Sequence, residues 1–276
     1  MPELPEVETV RRALARHLPG ATVTAVELRV DRLRKPLSRE QLEGVCVGRG
    51  IRTVRRRAKY LLVDLDDGGG LRLHLGMTGS MRVDAEGVPA LPHDRICWPL
   101  ADGRVWRFND PRRFGSAEAY VDLQAAEPDL FAAFGPEPLE DTFTGAYLRG
   151  ASHGRRASIK SLIMDQRIVV GVGNIYASES LHRAGILPSR QGGRVSAARC
   201  QRLAEEIKEV LAEAIELGGT TISDFRAPDG SEGRFTVHLD VYGRDGQDCP
   251  RCGPGHAVRR RVLAGRGTFY CPDCQR

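Results

Sequence analysis

Two cysteine pairs near the C-terminus constrain this chain more than any other feature: Cys249-Pro-Arg-Cys252 and Cys271-Pro-Asp-Cys274, eighteen residues apart. Each C-x-x-C turn offers two thiolates to one metal, and a hairpin between the turns completes a tetrahedron, which is zinc-ribbon spacing. A redox dithiol explains one such pair, not two. Four thiolates leave no open coordination position, so the expected cofactor is one structural Zn2+. The residues between the pairs include Arg259, Arg260, Arg261 and Arg266 and no Asp or Glu, so the hairpin is expected to lie against phosphates. The other cysteines, Cys46, Cys97 and Cys200, are scattered and odd in number. That pattern suits a reducing compartment without a disulfide framework.

At 276 residues the chain has room for two domains, or for one large domain and a small module. Its net charge of +5 is unevenly spread, with basic clusters at Arg49–Tyr60 and Arg155–Lys160 that suit a polyanion. Acidic membranes or RNA fit that charge equally well, and many basic faces are merely solvated. No apolar run approaches the length of a membrane span, and Glu3, Glu6 and Glu8 are unlike a signal peptide. A soluble, cytoplasmic protein is expected.

The spacing of Val7, Val10, Leu14 and Leu18 predicts a long N-terminal helix over Pro5–Leu18. Strand-like runs follow at Thr22–Val30, Ile51–Arg56, Tyr60–Leu65, Leu71–Leu75, Ile96–Leu100, Arg104–Phe108 and Ser116–Val121, with turns at Asp66–Gly70 and Ala101–Gly103. They read as a β-sandwich. Gly135–Leu139 reads as a linker, and beyond it the pattern turns helical, most clearly over Ser196–Leu217, where Leu203, Ile207, Val210, Leu211 and Ala214 mark an apolar face ended by Gly218 and Gly219. The fold class is therefore α+β and multidomain.

Three further features carry two readings each. Gly171-Val-Gly173-Asn174-Ile175-Tyr176-Ala177 is a glycine-flanked turn opening a helix towards Ala184, either an ordinary tight turn or, with Arg155, Arg156 and Lys160 upstream, a phosphate clamp with Asn174 as a cap-like side chain. Pro2 either starts a helix or, after removal of the initiator methionine, presents a secondary amine. Roughly a tenth of an α-amino group is neutral at pH 7, against well under about a thousandth of a lysine, so such a terminus is a ready nucleophile. Met77, in a glycine-flanked turn, and Phe114, shortly after Pro111, are either core residues or exposed apolar side chains. Lys59 is one of four lysines against thirty-seven arginines, which suggests a need for an amine that can lose its proton.

Pro2-Glu-Leu-Pro-Glu-Val-Glu-Thr9 resembles the N-terminal signature of bacterial formamidopyrimidine-DNA glycosylases. Matches continue through Arg56-Arg57-Ala58-Lys59-Tyr60, His74-Leu75-Gly76-Met77-Thr78-Gly79, Asp110-Pro111-Arg112-Arg113-Phe114-Gly115, Val169–Ser180 and Thr268-Phe269-Tyr270-Cys271. The resemblance covers the whole chain. It implies a catalytic β-sandwich over residues 1–134, a helix-two-turn-helix domain over 135–241 and a zinc finger over 242–276, with damaged double-stranded DNA between them and the protein acting as a monomer associated with the nucleoid. It also implies a bifunctional glycosylase and abasic-site lyase for oxidised purines. In that reading Pro2 forms a Schiff base with the sugar, Glu3 is the general acid, Lys59 serves elimination and phosphate contact, and Arg266 completes the second elimination. His93, Arg112, Arg155, Lys160, Asn174 and Tyr176 match DNA-binding positions, Met77, Arg112 and Phe114 the set inserted into the base stack, and Ser223–Phe235 a loop over the flipped base. Three alternatives are a non-catalytic zinc-ribbon DNA binder, which leaves Pro2-Glu3 without a purpose; a small-molecule enzyme with a proline base, which leaves the arginines and cysteines without one; and the related branch that favours oxidised pyrimidines.

Overall fold

The computed structural model describes residues 2–218 and 238–276. Ser223–Phe235, the expected cover for a flipped base, lies outside the described residues. The chain forms two compact units: one runs to Ala132, and the other joins Ala133–Leu217 to the C-terminal residues.

In the first unit, helix α1 (Leu4–His17) is set by its apolar stripe: Leu4, Val7, Val10, Leu14 and Leu18 are all buried. Its start is fixed locally, since the Glu6 carboxylate reaches back to accept the Glu3 backbone N–H at 2.8 Å and Pro5 occupies the first turn, where a missing N–H costs nothing. Two antiparallel four-stranded sheets follow. One has the order β1 (Glu27–Leu28), β6 (Asp94–Pro99), β7 (Val105–Asn109), β5 (Ser80–Asp84), and the other β2 (Ile51–Arg57), β3 (Tyr60–Leu65), β4 (Gly70–His74), β8 (Ser116–Tyr120). The inward faces of both sheets and the stripe of α1 share one core, which holds the stacked pair Trp98 and Trp106, ring centroids 4.2 Å apart. Burying each large apolar side chain of this kind contributes about 1.5 to 3 kcal/mol. Helices α2 (Arg39–Cys46) and α3 (Leu123–Phe131) complete the unit, capped by Ser38 and Asp122.

The expected strand at Thr22–Val30 is reduced to Glu27–Leu28. Thr22 bridges to Gly50, beside the second sheet, and the next residue, Val23, bridges to Leu100, beside the first, so the stretch crosses from one sheet to the other before Glu27–Leu28 pairs with β6. Strand β5 is an addition to the expected set. Its pattern is strictly alternating, with Met81 and Val83 buried, but two apolar residues make a weak signal. The outward Arg82 pairs instead with Asp84 and Asp94.

The second unit contains α4 (Gly145–Ser152), α5 (Ile159–Ile163), α6 (Asn174–Arg183) and α7 (Ala197–Glu216), around a core in which all five predicted apolar residues of α7 are buried. Ser196 caps α7 by accepting the Arg199 N–H, and Gly218 follows with a left-handed φ of 79°. The finger consists of β9 (Asp248–Cys249), β10 (Gly253–Ala257) and the hairpin β11 (Arg259–Leu263) to β12 (Arg266–Tyr270). No helix of the described residues is long and apolar enough to cross a membrane.

Candidate functional site

In the sandwich unit, Glu3 is buried at the start of α1 and Pro2 beside it is half-buried. Lys59 sits in the two-residue turn between β2 and β3, where Ala58 takes a φ of 55°, and is 6% exposed. One side chain ties this turn to the terminal helix: Arg56 donates to Glu8 of α1 at 3.2 Å and to the Ala58 carbonyl at 3.0 Å. Burial would raise the Glu8 carboxyl, but Arg11, Arg56 and Arg12 together hold it below its usual range, so the anchor stays charged.

A second group of loops lies beyond His74, the cross-strand neighbour of Tyr60. The His74 Nδ1 accepts the Gly76 N–H at 2.9 Å. Gly76 has a φ of 65°, and a Cβ there would stand 2.4 Å from the Phe114 carbonyl carbon, so only glycine lets the Met77 turn and the Arg112–Gly115 loop run side by side. Gly115 is pinned as well. Its N–H donates to the fully buried Asp110 carboxylate at 2.8 Å, and its carbonyl accepts from the Arg34 N–H. Met77 and Phe114 are exposed, at 39% and 44%, and the Arg112 guanidinium lies 4.7 Å from the centre of the Phe114 ring. Both apolar residues are therefore exposed on loops held by buried polar contacts, which decides against the core reading. His93 is exposed nearby in sequence, with a φ of 73° and its Nδ1 3.0 Å from Arg95.

Burial, with the positive charges of Arg34, Lys59 and Arg72, pushes the His74 imidazole down to about 4. An unfolded histidine titrates near ~6.5, so between these values the unfolded chain binds a proton that the folded one refuses. Stability contributed by neutral His74 is thus complete above about pH 6.5 and is lost as the pH falls towards 4, by up to about 3 kcal/mol. Denaturant midpoints of the parent should fall more steeply over that window than those of His74→Asn. Equal slopes would remove His74 as the titrating group.

In the second unit the expected residues divide by burial. Arg155 and Arg266 are exposed, Arg266 one residue beyond a hairpin turn in which Ala264 and Gly265 both have positive φ. Lys160 and Tyr176 are buried. The Lys160 ammonium donates to Ser178 of α6 at 3.1 Å and to Thr268 of β12 at 2.9 Å, so it braces the finger hairpin against α6. Asn174 is the first residue of α6, not its cap, a role Gly173 holds. Its Nδ2 donates to the Gly267 carbonyl at 3.0 Å. The start of α6, where backbone N–H groups point out of the helix end, is thereby fixed beside the strand that carries Arg266.

The sulfur atoms of Cys249, Cys252, Cys271 and Cys274 lie within 4.8 Å of one another, with separations of 3.9 Å for Cys249–Cys274 and 3.8 Å for Cys252–Cys271. Four thiolates bound tetrahedrally at ~2.3 Å stand about 3.8 Å apart. The donor set therefore fits a metal closely.

Geometry alone defines a class: a β-sandwich whose loops expose Met77 and Phe114 beside Arg112, together with a helical unit that carries an arginine-rich four-cysteine finger. Comparison narrows it. The model of the formamidopyrimidine-DNA glycosylase N-terminal domain matches residues 1–117 and that of the H2TH domain of the same enzymes matches residues 134–226. A formamidopyrimidine-DNA glycosylase of Xanthomonas campestris is 52% identical over 276 residues, all of both chains. The crystal structure of the MutM (Fpg) protein of Thermus thermophilus superposes with a TM-score of 0.84 at 41% identity, covering 99% of this chain and 98% of that one. The Lactococcus lactis Fpg, solved with DNA containing an abasic site, does so with a TM-score of 0.89 at 33% identity and 99% coverage of both. This chain belongs to the formamidopyrimidine-DNA glycosylase family.

Sequence reasoning missed His74, Arg34 and Asp110 as the supports of the loops that expose Met77 and Phe114, and Ser178 and Thr268 as the acceptors of Lys160. His74 and Asp110 stand inside motifs that the resemblance picks out, but their work is done on backbone groups, which side-chain patterns do not reveal.

Proposed function

We infer that this chain excises oxidised purines from duplex DNA in base excision repair and then cleaves the strand at the abasic site by β,δ-elimination. The observation that carries this reading is the Glu8–Arg56–Ala58 tie, which joins the helix that follows Pro2 and Glu3 to the turn holding Lys59. With Met1 removed, the Pro2 nitrogen attacks C1′ of the damaged nucleotide and the base departs. Glu3 gives a proton to the sugar ring oxygen as the ring opens to the iminium. Loss of the C2′ proton then breaks the C3′–O bond, with Lys59 serving this step and the flanking phosphate, and Arg266 serves the second elimination. Solved complexes of the Lactococcus lactis relative with Fapy-dG and with an oxidised pyrimidine support this lesion class and suggest some breadth beyond purines. The test is borohydride trapping on a duplex bearing one 8-oxoguanine, which should give a one-to-one adduct on the N-terminal peptide; no adduct would overturn the reading.

The remaining residues serve DNA binding. His93 and Arg155 meet phosphates, Asn174 and Tyr176 contribute through the α6 end, and Lys160 acts by holding the hairpin. The finger holds one structural zinc through its four cysteines, which contributes local folding energy and leaves no open position for chemistry. Residues 1–134, 135–241 and 242–276 serve as catalytic, helix-two-turn-helix and finger parts of a cytoplasmic, nucleoid-associated monomer.

Met77, Arg112 and Phe114 fill the space a flipped base leaves, and Arg112 reads the base left behind. Cytosine offers the adjacent acceptors O2 and N3 to a guanidinium that has only donors, whereas adenine sets an amino donor against it. The Arg112 guanidinium, 4.7 Å from the centre of the Phe114 ring, supports a pre-positioned fork. A good bidentate contact contributes about 1 to 3 kcal/mol, roughly 5- to 150-fold. Single-turnover excision opposite cytosine should exceed that opposite adenine by such a factor in the parent, and Arg112→Ala should lose the preference. Equal slowing on both would make Arg112 a phosphate contact.

A further inference from the structure

Three residues of α6 at helical spacing, Asn174, Ser178 and His182, face the finger. Asn174 donates to the Gly267 carbonyl, Ser178 shares the Lys160 ammonium with Thr268, and His182 places its Nε2 3.3 Å from the Sγ of Cys249. His182 is 2% exposed. On its other side stands Asp240, with Oδ2 3.8 Å from Nδ1. A leucine or phenylalanine would fill this buried position without the cost of desolvating a polar ring, so the imidazole needs a partner to offset that cost. A metal-bound thiolate only accepts hydrogen bonds, so the nitrogen beside it must be the donor.

We propose that His182 is a positioning residue for the metal centre, donating Nε2–H to the Cys249 thiolate and so holding that ligand in place and withdrawing charge from its sulfur. The proposal rests on the reading of the four cysteines as a zinc site. Outer-shell partners of this kind change metal affinity by about 10- to 100-fold. It follows that zinc is held more tightly, and Cys249 attacked more slowly by thiol reagents, than without the imidazole donor.

The test measures zinc release to a chromogenic chelator and zinc affinity by competition in the full-length parent, His182→Phe and His182→Gln. Phenylalanine keeps the ring volume without a donor, and glutamine restores an N–H. A loss of affinity of about 10- to 100-fold in His182→Phe, with recovery in His182→Gln, is the expected result. Unchanged affinity in His182→Phe, or equal loss in both variants, would overturn the proposal, the second outcome assigning His182 to packing. Should the phenylalanine variant not fold, the cadmium-substituted parent decides: a scalar coupling between the metal nucleus and the His182 Nε2 proton through the Cys249 sulfur supports the bond, and its absence overturns it. A parent that holds no zinc would instead remove the metal reading itself.

Discussion

With one extra residue ahead of Pro2, borohydride traps no protein–DNA adduct and excision falls to background, while duplex DNA is still retained. The Pro2 nitrogen would then be a tertiary amide without an available lone pair, and the new amine would be displaced by about 3.8 Å. The position of the Pro2 nitrogen is well defined, because the Glu3 N–H is tied to Glu6 and Glu3 itself is buried. A secondary amine has a chemical advantage too: its adduct with an aldehyde carbon is an iminium that cannot shed an N–H proton, so it remains the electron sink that both eliminations need. A neutral fraction of roughly a tenth at pH 7 makes the attack possible without a dedicated base. Peptide mapping should place the trapped parent adduct at the N-terminus. An adduct on Lys59, or full excision by the extended protein, would sink the assignment.

What the sequence made legible is what repeats. The stripes of α1 and α7 come from four or more apolar residues at helical spacing, and every predicted member is buried. The four cysteines are legible because metal chemistry fixes both type and spacing. The helices α2, α4 and α5, of eight, eight and five residues, are not, since two turns or so carry too little periodicity to stand out. Strand β5 is hidden for the same reason.

The site was legible by residue type but not by environment. Lys160 reads as an outward cation in a basic run, yet the Ser178 and Thr268 hydroxyls draw it inside. Tyr176 belongs to a motif that suggests a ligand contact, and it fills the helical core. His74 and Asp110 act on the N–H groups of Gly76 and Gly115, residues 2 and 5 positions away, and no side-chain pattern announces a bond to backbone. Met77 and Phe114 needed the structure most, because an apolar residue type predicts burial and only the packed loops leave these two outside.

Cys252→Ser should abolish retention of duplex DNA and leave the sandwich folded. Five residues, Val241, Cys249, Val258, Phe269 and Cys271, make up the buried apolar core of the finger, and two of them belong to the four-cysteine cluster. A core of that size cannot offset the entropy of ordering the hairpin, at about 1 to 2 kcal/mol for each residue's backbone, whereas structural zinc in a small finger supplies about 10 to 16 kcal/mol. Losing one thiolate therefore unfolds the hairpin that carries Arg259, Arg260, Arg261 and Arg266, and releases the partners of Asn174 and Lys160 on Gly267 and Thr268. The sandwich has its own core and contains both tryptophans of the chain, Trp98 and Trp106, stacked and fully buried. Tryptophan fluorescence thus follows the sandwich alone, and a parent-like denaturation midpoint by that probe is expected alongside lost DNA binding. Chelation of the metal from the parent should reproduce both results. DNA binding that survives with the zinc gone would show that the hairpin does not face the phosphates, and a shifted tryptophan midpoint would show that the sandwich depends on the finger for its stability.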